Sequence, residues 1–358
     1  PFMVGDASGG PHSGLEAVRR LTMASQTLKE SFELFNDSRF AWILKNYLGD
    51  TNPSVVQAAQ GASDPILHAT SRVVPDYGAI IETGEAENDI TKKSAMTLRL
   101  GIGQGHAHND YLDLNLFGLG APLAVDLACR NEGSNWSRPS ASWSFLHNHA
   151  LAHDSLDPNG AGAQSGEPWL RSFSPPLVQG SYVDDLGNTR LDRDASLIQV
   201  GTTGTYYGVD IQRISGKAYH TWAFHGAESN SLSLNVPMTA QSVRWIDRTL
   251  EGTQFTGTAS DMLQATWTMT RSGTSYPFTF NGGGTIQTVG AEPTALGGNY
   301  NASLPPINIR ATLLGQSGAS VLQGSPYSKT YAYAFPFLWV QKPANGTSVF
   351  PALYEWYR

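Results

Sequence analysis

From about residue 68 to its end, the chain is written in short runs of β-branched and aromatic residues, each cut off by Gly, Pro, Asn or Asp. ATSRVVPDYGAIIETG, SAMTLRLGIG, DYLDLNLFG, APLAVDLA, SLIQVGTTGTYYGVDIQRIS, AYHTWAFHG, SVRWIDR, INIRATLLG, YAYAFPFLWVQK and TSVFPALYEWYR all have this form. Runs so short and so often interrupted suit strands joined by turns, not helices. DYLDLNLFG is the clearest case. Its period-two alternation predicts Leu112, Leu114 and Leu116 on a buried face, with Asp113 and Asn115 opposite. The 37 glycines and 20 prolines supply the many turns that such a chain requires.

The first sixty residues read differently. HSGLEAVRRLTMASQTLKESFELF opens with Ser13 and Glu16 at capping-box spacing, and Leu28, Phe32 and Phe35 recur at helical intervals. DSRFAWILKNYLG fits a second helix, with Ser38 as N-cap, Phe40, Ile43, Leu44 and Tyr47 as its apolar stripe, and Gly49 as the stop. With 358 residues there is room for two structural parts: a helical segment over residues 1–62 and an antiparallel β-sandwich over residues 63–358. The chain opens on PFMVGDASGG without an initiator Met, as expected for a piece of something longer.

A formal net charge of −7 argues against a general nucleic-acid or membrane-surface binder, although a locally basic cleft can still take an acidic ligand. No apolar run approaches the ~20 residues of a membrane-spanning helix. Cys129 is the one cysteine, so there is no intramolecular disulfide framework. The sequons at Asn36, Asn135, Asn301 and Asn345 are read as chance matches in a Ser/Thr-rich chain.

Five of nine histidines (His106, His108, His147, His149 and His153) fall between residues 106 and 153. Asp126 ends an apolar strand, where a carboxylate faces the rim of a sheet, and Cys129 lies three residues on. Two imidazoles and a carboxylate can fill three corners of a tetrahedral Zn²⁺ site. The plain alternative is that histidines simply gather at loop and strand ends. Geometry adds a condition. If Phe117 pairs near Pro122, Asp126 lies opposite Asp113, and His108 is ~17 Å away along a straight strand. The glycine-rich loop 101–110 must therefore fold back over the sheet.

GHAHNDYLDLNLFGLGAPLAVD resembles the signature of the heparinase II/III-like polysaccharide lyases, a family that includes alginate and oligoalginate lyases. FLHNHALAHD, VDIQRISGKAYHTWAFHG and SVFPALYEWYR are similar, in order, to three further stretches of that family. The resemblance implies an incomplete α/α toroid, of which the helical opening is the end, joined to a large two-sheet β-sandwich. It implies cleavage of uronic-acid polysaccharides by β-elimination, in a periplasmic or secreted protein. It also implies that His108, Asp126 and His147 hold a structural Zn²⁺ while His106 faces the substrate. His149, two residues from His147, is an alternative ligand.

Elimination needs the C6 carboxylate neutralised, a base at C5 and an acid at O4. A neutral imidazole suits the base, and an arginine fork suits the uronate, with Arg72, Arg99, Arg130 and Arg138 as candidates near the motif. The chain departs from the family in two places. LACRNEGSNWSRPSASWSFLH has no Tyr between Asp126 and His147, and His149 stands where the family has Thr. The family's catalytic Tyr and its Asn or His neutraliser sit on the toroid. The expected partner is an anionic polysaccharide or oligosaccharide, alginate-like slightly ahead of glycosaminoglycan. The competing readings are a non-catalytic carbohydrate-binding or structural zinc sandwich, and a zinc hydrolase.

Overall fold

A computed structural model of the chain describes residues 26–46, 50–63, 65, 68–75, 77–83, 92–100, 111–119, 121–124, 147–154, 166–184, 186–201, 205–226, 231–241, 254–269, 306–324 and 336–358. Three helices come first: α1 (residues 26–35), α2 (Ser38–Asn46) and α3 (Pro53–Ala59). Phe32, Ala41, Leu44, Val55 and Ala59 form a small core of their own, while Phe35 is exposed. The cap of α2 lies one residue earlier than the sequence suggests. The Asp37 carboxylate, not Ser38, accepts the Arg39 N–H at 2.9 Å. In α3, Asn52 accepts the Ser54 N–H and Pro53 occupies the first turn, where a missing N–H does no harm. Among the described residues no helix is long and apolar enough to cross a membrane.

The rest is antiparallel β, in three sheets with strands numbered along the chain. The five-stranded sheet runs β1 (Arg72–Val74), β2 (Gly78–Thr83), β3 (Ser94–Arg99), β4 (Leu114–Gly118), β5 (Ala121–Ala124). The eight-stranded sheet has the order β12 (Ser231–Leu234), β15 (Met262–Met269), β16 (Ile307–Leu314), β19 (Ser348–Tyr357), β10 (Thr205–Ser215), β9 (Arg190–Val200), β8 (Leu177–Asp184), β7 (Gly166–Ser174). The six-stranded sheet has the order β13 (Met238–Gln241), β14 (Gln254–Thr258), β17 (Ser320–Gly324), β18 (Phe337–Pro343), β11 (Tyr219–His225), β6 (Ala150–His153).

Alternation decides the layering. In the eight-stranded sheet one face is buried across the inner strands, with Leu191, Ala195 and Leu197 of β9, Leu263, Ala265 and Trp267 of β15, and Phe350, Ala352 and Tyr354 of β19. Both other sheets pack on that face. Leu98 and Leu112 come so close to Gly180 that a Cβ there would lie 2.6 Å from Leu112 Cδ2, and Met96 lies over Gly208 in the same way. From the six-stranded sheet, Phe224 stacks on Tyr354 at 4.8 Å and meets Trp267 edge-on at 5.1 Å. The sandwich is therefore two layers deep, and its second layer is built from two sheets where the sequence suggests one.

Leu112, Leu114 and Leu116 are all fully buried, as their alternation requires. Asp113 and Asn115 do point the other way, but they are fully buried too. Phe117 pairs with Pro122 as expected, and a one-residue bulge then shifts the register so that Leu116 faces Ala124.

His220 joins the two layers at one end of the sandwich. Its Nε2–H donates to the Gly216 carbonyl at 2.6 Å, which leaves Nδ1 to accept from the Ser348 hydroxyl at 2.7 Å. Burial pulls this imidazole below its ordinary value, the Gly216 carbonyl opposes that, and the nearby Lys342 charge adds to it. The unfolded chain therefore takes up the proton first. Stability from this site is complete above pH 6.5, the ordinary imidazole value, and falls as the pH drops through it toward the folded value. Urea denaturation between pH 8 and pH 5 should show this decline. His220→Gln should flatten it, and an unchanged slope in that variant would assign the decline to other groups.

Candidate functional site

The histidine pair enters the fold at the edge of the six-stranded sheet. β6 pairs with β11, with Ala150 opposite Trp222 and His153 opposite Tyr219. The pairing continues for one more bond, from the Ala223 N–H to the His149 carbonyl at 3.0 Å. Upstream of this the chain bends, and the His149 N–H turns back to the His147 carbonyl at 3.0 Å. The two rings lie 6.1 Å apart at 77°, edge to face, rather than side by side on a regular strand. Both are buried.

Asn148 explains the bend. Its N–H donates to Asp113 Oδ1 at 2.7 Å, and its carbonyl accepts from Arg193 Nη1 at 2.5 Å. Its side-chain Nδ2 donates to the Leu114 carbonyl at 3.1 Å, and Oδ1 accepts the His225 N–H at 2.8 Å. One residue thus touches all three sheets with every polar group it has. Residues 111–113, just before β4, are tied down as well. Leu112 has φ +58°, an uncommon conformation for a residue with a Cβ. The Asp113 carbonyl accepts the Arg99 N–H at 2.9 Å, and Asp113 Oδ2 accepts from Asn115 Nδ2 at 3.0 Å. Tyr111 stacks on Tyr182 with ring centroids 4.3 Å apart.

Two hydrogen bonds set imidazole tautomers. His149 Nδ1 lies 3.1 Å from the Tyr111 carbonyl, and His225 Nδ1 lies 2.6 Å from the Gly226 carbonyl. A carbonyl only accepts, so each Nδ1 carries a proton and each neutral ring has its lone pair on Nε2. That is the form in which histidine binds metal when a neighbouring carbonyl orients it. Beneath these residues lies a wholly buried ion pair. Arg193 Nε and Nη2 donate to the two Asp210 oxygens at 2.8 and 2.7 Å, and the Tyr354 hydroxyl donates to Asp210 Oδ2 at 3.1 Å. Burial and the Asp210 charge push the Tyr354 phenol well above its usual value. Burial alone would lower Arg193, but the Asp210 charge and hydrogen bonds more than offset that and hold it above its ordinary value.

Of the residues singled out in the sequence, His106, His108, Asp126, Cys129, Arg130 and Arg138 lie outside the described residues. Arg72, on β1, is ion-paired with Glu82 at 2.7 Å, and Glu82 also takes Lys93 at 3.0 Å. Arg99 ends β3, buried, its backbone bonded to Asp113. Among the described residues no group of three or more His, Cys, Asp or Glu side chains could hold a metal ion. Sequence reading missed Asn148, Asp113 and His225 as parts of one cluster. It also missed Arg193 and Asp210, charges at inward positions of β9 and β10.

No family model matches this sequence, and no curated protein matches it. Solved structures do match by shape. A mutant of the heparan sulfate lyase HepC from Pedobacter heparinus is similar over 94% of this chain, with 13% identity and a TM-score of 0.52. A heparinase III, the BT4657 gene product, is similar over 94% of this chain, with 12% identity and a TM-score of 0.53. The fold is heparinase-like. The chain spans 42% and 41% of the lengths of those two proteins.

Asn148→Ala tests whether this residue holds the cluster. It leaves the Leu114 carbonyl and the His225 N–H without their partner in a buried place, at about 1–3 kcal/mol for each group. The midpoint of urea unfolding should fall accordingly. A loss under about 1 kcal/mol would mean that water or a neighbour replaces the amide.

Proposed function

We propose that this chain is the sandwich part of a polysaccharide lyase that cleaves a uronic-acid-containing anionic polysaccharide by β-elimination. One observation carries the reading. In a heparinase-like fold, the sequence GHAHND runs directly into residues 111–114, which are bonded to the histidine-bearing bend at 147–149. The resemblance to the lyase signature and the fold likeness to two heparan sulfate lyases both support this reading. The wording of the loop leans toward alginate and the structural neighbours toward glycosaminoglycans, so both classes belong in the test.

In this reading His106 acts at the sugar as a neutral imidazole and takes the C5 proton. The electron pair from that C–H bond forms the C4=C5 double bond as the C4–O4 bond breaks, and O4 leaves with a proton from an acid. Arg99 and Arg130 are the candidates for meeting the C6 carboxylate, and Arg72 would do so only by leaving Glu82. The donor chemistry suits zinc. His147 is a buried imidazole, and the neighbouring His149 is held in the Nε2 lone-pair tautomer. His108, Asp126 and His147 would hold the ion, with His149 as the alternative ligand. Bound there, zinc would supply cohesion between the loop and the bend.

The test is ultraviolet absorbance of the products from alginate, heparan sulfate and other uronans, because only elimination creates a conjugated unsaturated uronate. His106→Ala should lower the rate by about 10²–10⁴-fold, the usual loss on removing a general base, with zinc content and melting temperature near wild type. His108→Ala should lower zinc content and melting temperature together. Binding of a uronan without any conjugated product would instead favour a non-catalytic carbohydrate-binding sandwich. Identical behaviour of the two variants would refute the division of roles.

A further inference from the structure

The Arg193–Asp210 pair is buried to 0% exposure on both sides, which is a costly place for two charges. Well-packed apolar residues of similar size would serve stability as well or better, so the pair calls for another explanation. Its contacts supply one. Two of the guanidinium nitrogens are held by the Asp210 carboxylate, and the third, Nη1, donates to two carbonyls: Leu112 at 2.6 Å and Asn148 at 2.5 Å. These carbonyls belong to segments 36 residues apart in sequence, the exit of the His-x-His loop and the histidine-bearing bend. A guanidinium is flat and rigid, so fixing one edge on Asp210 fixes where the other edge must find its acceptors.

We propose that Arg193 is a positioning residue. Anchored by Asp210, it holds residues 111–113 and the bend at 147–149 in register with each other. Three observations depend on that register. Leu112 keeps its left-handed backbone, a conformation that a Cβ disfavours, while its carbonyl is held by Arg193 and its side chain fills the space over Gly180. The Tyr111 carbonyl then reaches His149 Nδ1, and the Asp113 carboxylate reaches the Asn148 N–H. Asp210 is itself braced by Tyr354 from β19 and by Gln212, whose Oε1 accepts the Ala150 N–H at 2.6 Å just past the bend. The clamp is thus referenced to the eight-stranded sheet, the largest of the three.

The importance of this register for chemistry rests on the lyase reading, but the register itself can be measured without it. Two variants separate positioning from stability. Arg193→Lys keeps the charge on Asp210, yet a single ammonium cannot hold the carboxylate and both carbonyls in a planar fork. The double variant R193M/D210N removes both charges and leaves Tyr354 an acceptor. The readouts are the ¹⁵N imidazole spectrum of His149, amide exchange along the chain, and loss of zinc to a chelator. In folded samples of both variants, His149 should lose its single Nδ1–H tautomer. Exchange should quicken at least about tenfold at Leu114 and Asn148 while β15 keeps native protection. Zinc should be lost at least about tenfold faster, the lower end of the usual effect of outer groups on a metal site. A native His149 spectrum and native exchange at Leu114 and Asn148 in R193M/D210N would overturn the proposal. So would uniform loss of protection that includes β15, or failure of the double variant to fold, since either makes the pair a general structural element. If wild-type protein binds no zinc, the zinc reading fails alone, and the spectrum and exchange still decide the clamp.

Discussion

Arg193 bonded to Asp210 is the contact on which the three sheets of this sandwich converge. Its two ends lie in adjacent strands of the large sheet, β9 and β10, and its free edge reaches the entry to β4 and the entry to β6. A charge in that position cannot be left half-satisfied, because a buried guanidinium without acceptors costs far more than a hydrogen bond returns. Its acceptors are therefore as obligatory as the core contacts around it. Ordinary apolar packing leaves small sliding motions open, whereas a directional network does not. This is how a layer made of two separate sheets can sit on a third in one register.

The packing around the pair follows from it. Gly180 and Gly208, in strands flanking β9, have no side chain where Leu98, Leu112 and Met96 press in, so the five-stranded sheet approaches closely on both sides of Arg193. On the other side the aromatic stack of Trp222, Phe224 and Tyr354 binds the six-stranded sheet to the same face. Tyr354 belongs to both systems, stacked in the core and hydrogen-bonded to Asp210. Core and polar network are consequently coupled through one side chain.

A strand whose alternation matches a single buried face was readable from the residues alone, as β19 demonstrates with Phe350, Ala352, Tyr354 and Trp356 inward. β7 was not, because GEPWLRSFS lies at a sheet edge with most of its side chains exposed and carries no apolar period. β12, β13 and β14 are short and rich in Ser and Thr, too brief for a period to emerge, although β15 repeats Leu263, Ala265, Trp267 and Met269 without a break. The burial of Asp113 and Asn115 was hidden for a different reason. Alternation reports which face a residue takes, not whether a second element will cover that face. For the site, the histidine motifs were visible, but the bend at Asn148 was not. Its partners Asp113, Arg193 and His225 lie 35, 45 and 77 residues away, and nothing local announces them. The zinc ligands and the substrate-facing histidine were proposed through family resemblance, since spacing alone left several donor sets open.

The position of the histidines has a cause in the backbone. Where two sheets meet side by side in one layer, the seam exposes main-chain groups that neither sheet can pair by itself. Among the described residues β4 pairs with β5 from Gly118 to Leu116, and Leu114 meets Asn148 instead. Asn148 meets it there with its own carbonyl, which accepts the Leu114 N–H at 3.4 Å, and with its side-chain amide, which donates to the Leu114 carbonyl. A single asparagine thus does the work of a strand. The chain on either side of it must turn away, and that places His147 and His149 at the seam with their rings edge to face. The seam needs polar groups whatever the protein does, and under the proposed lyase reading a site for a charged sugar would need them in fixed places. The same few bonds would then meet both demands, so that sealing the fold and orienting His149 become one problem in this chain.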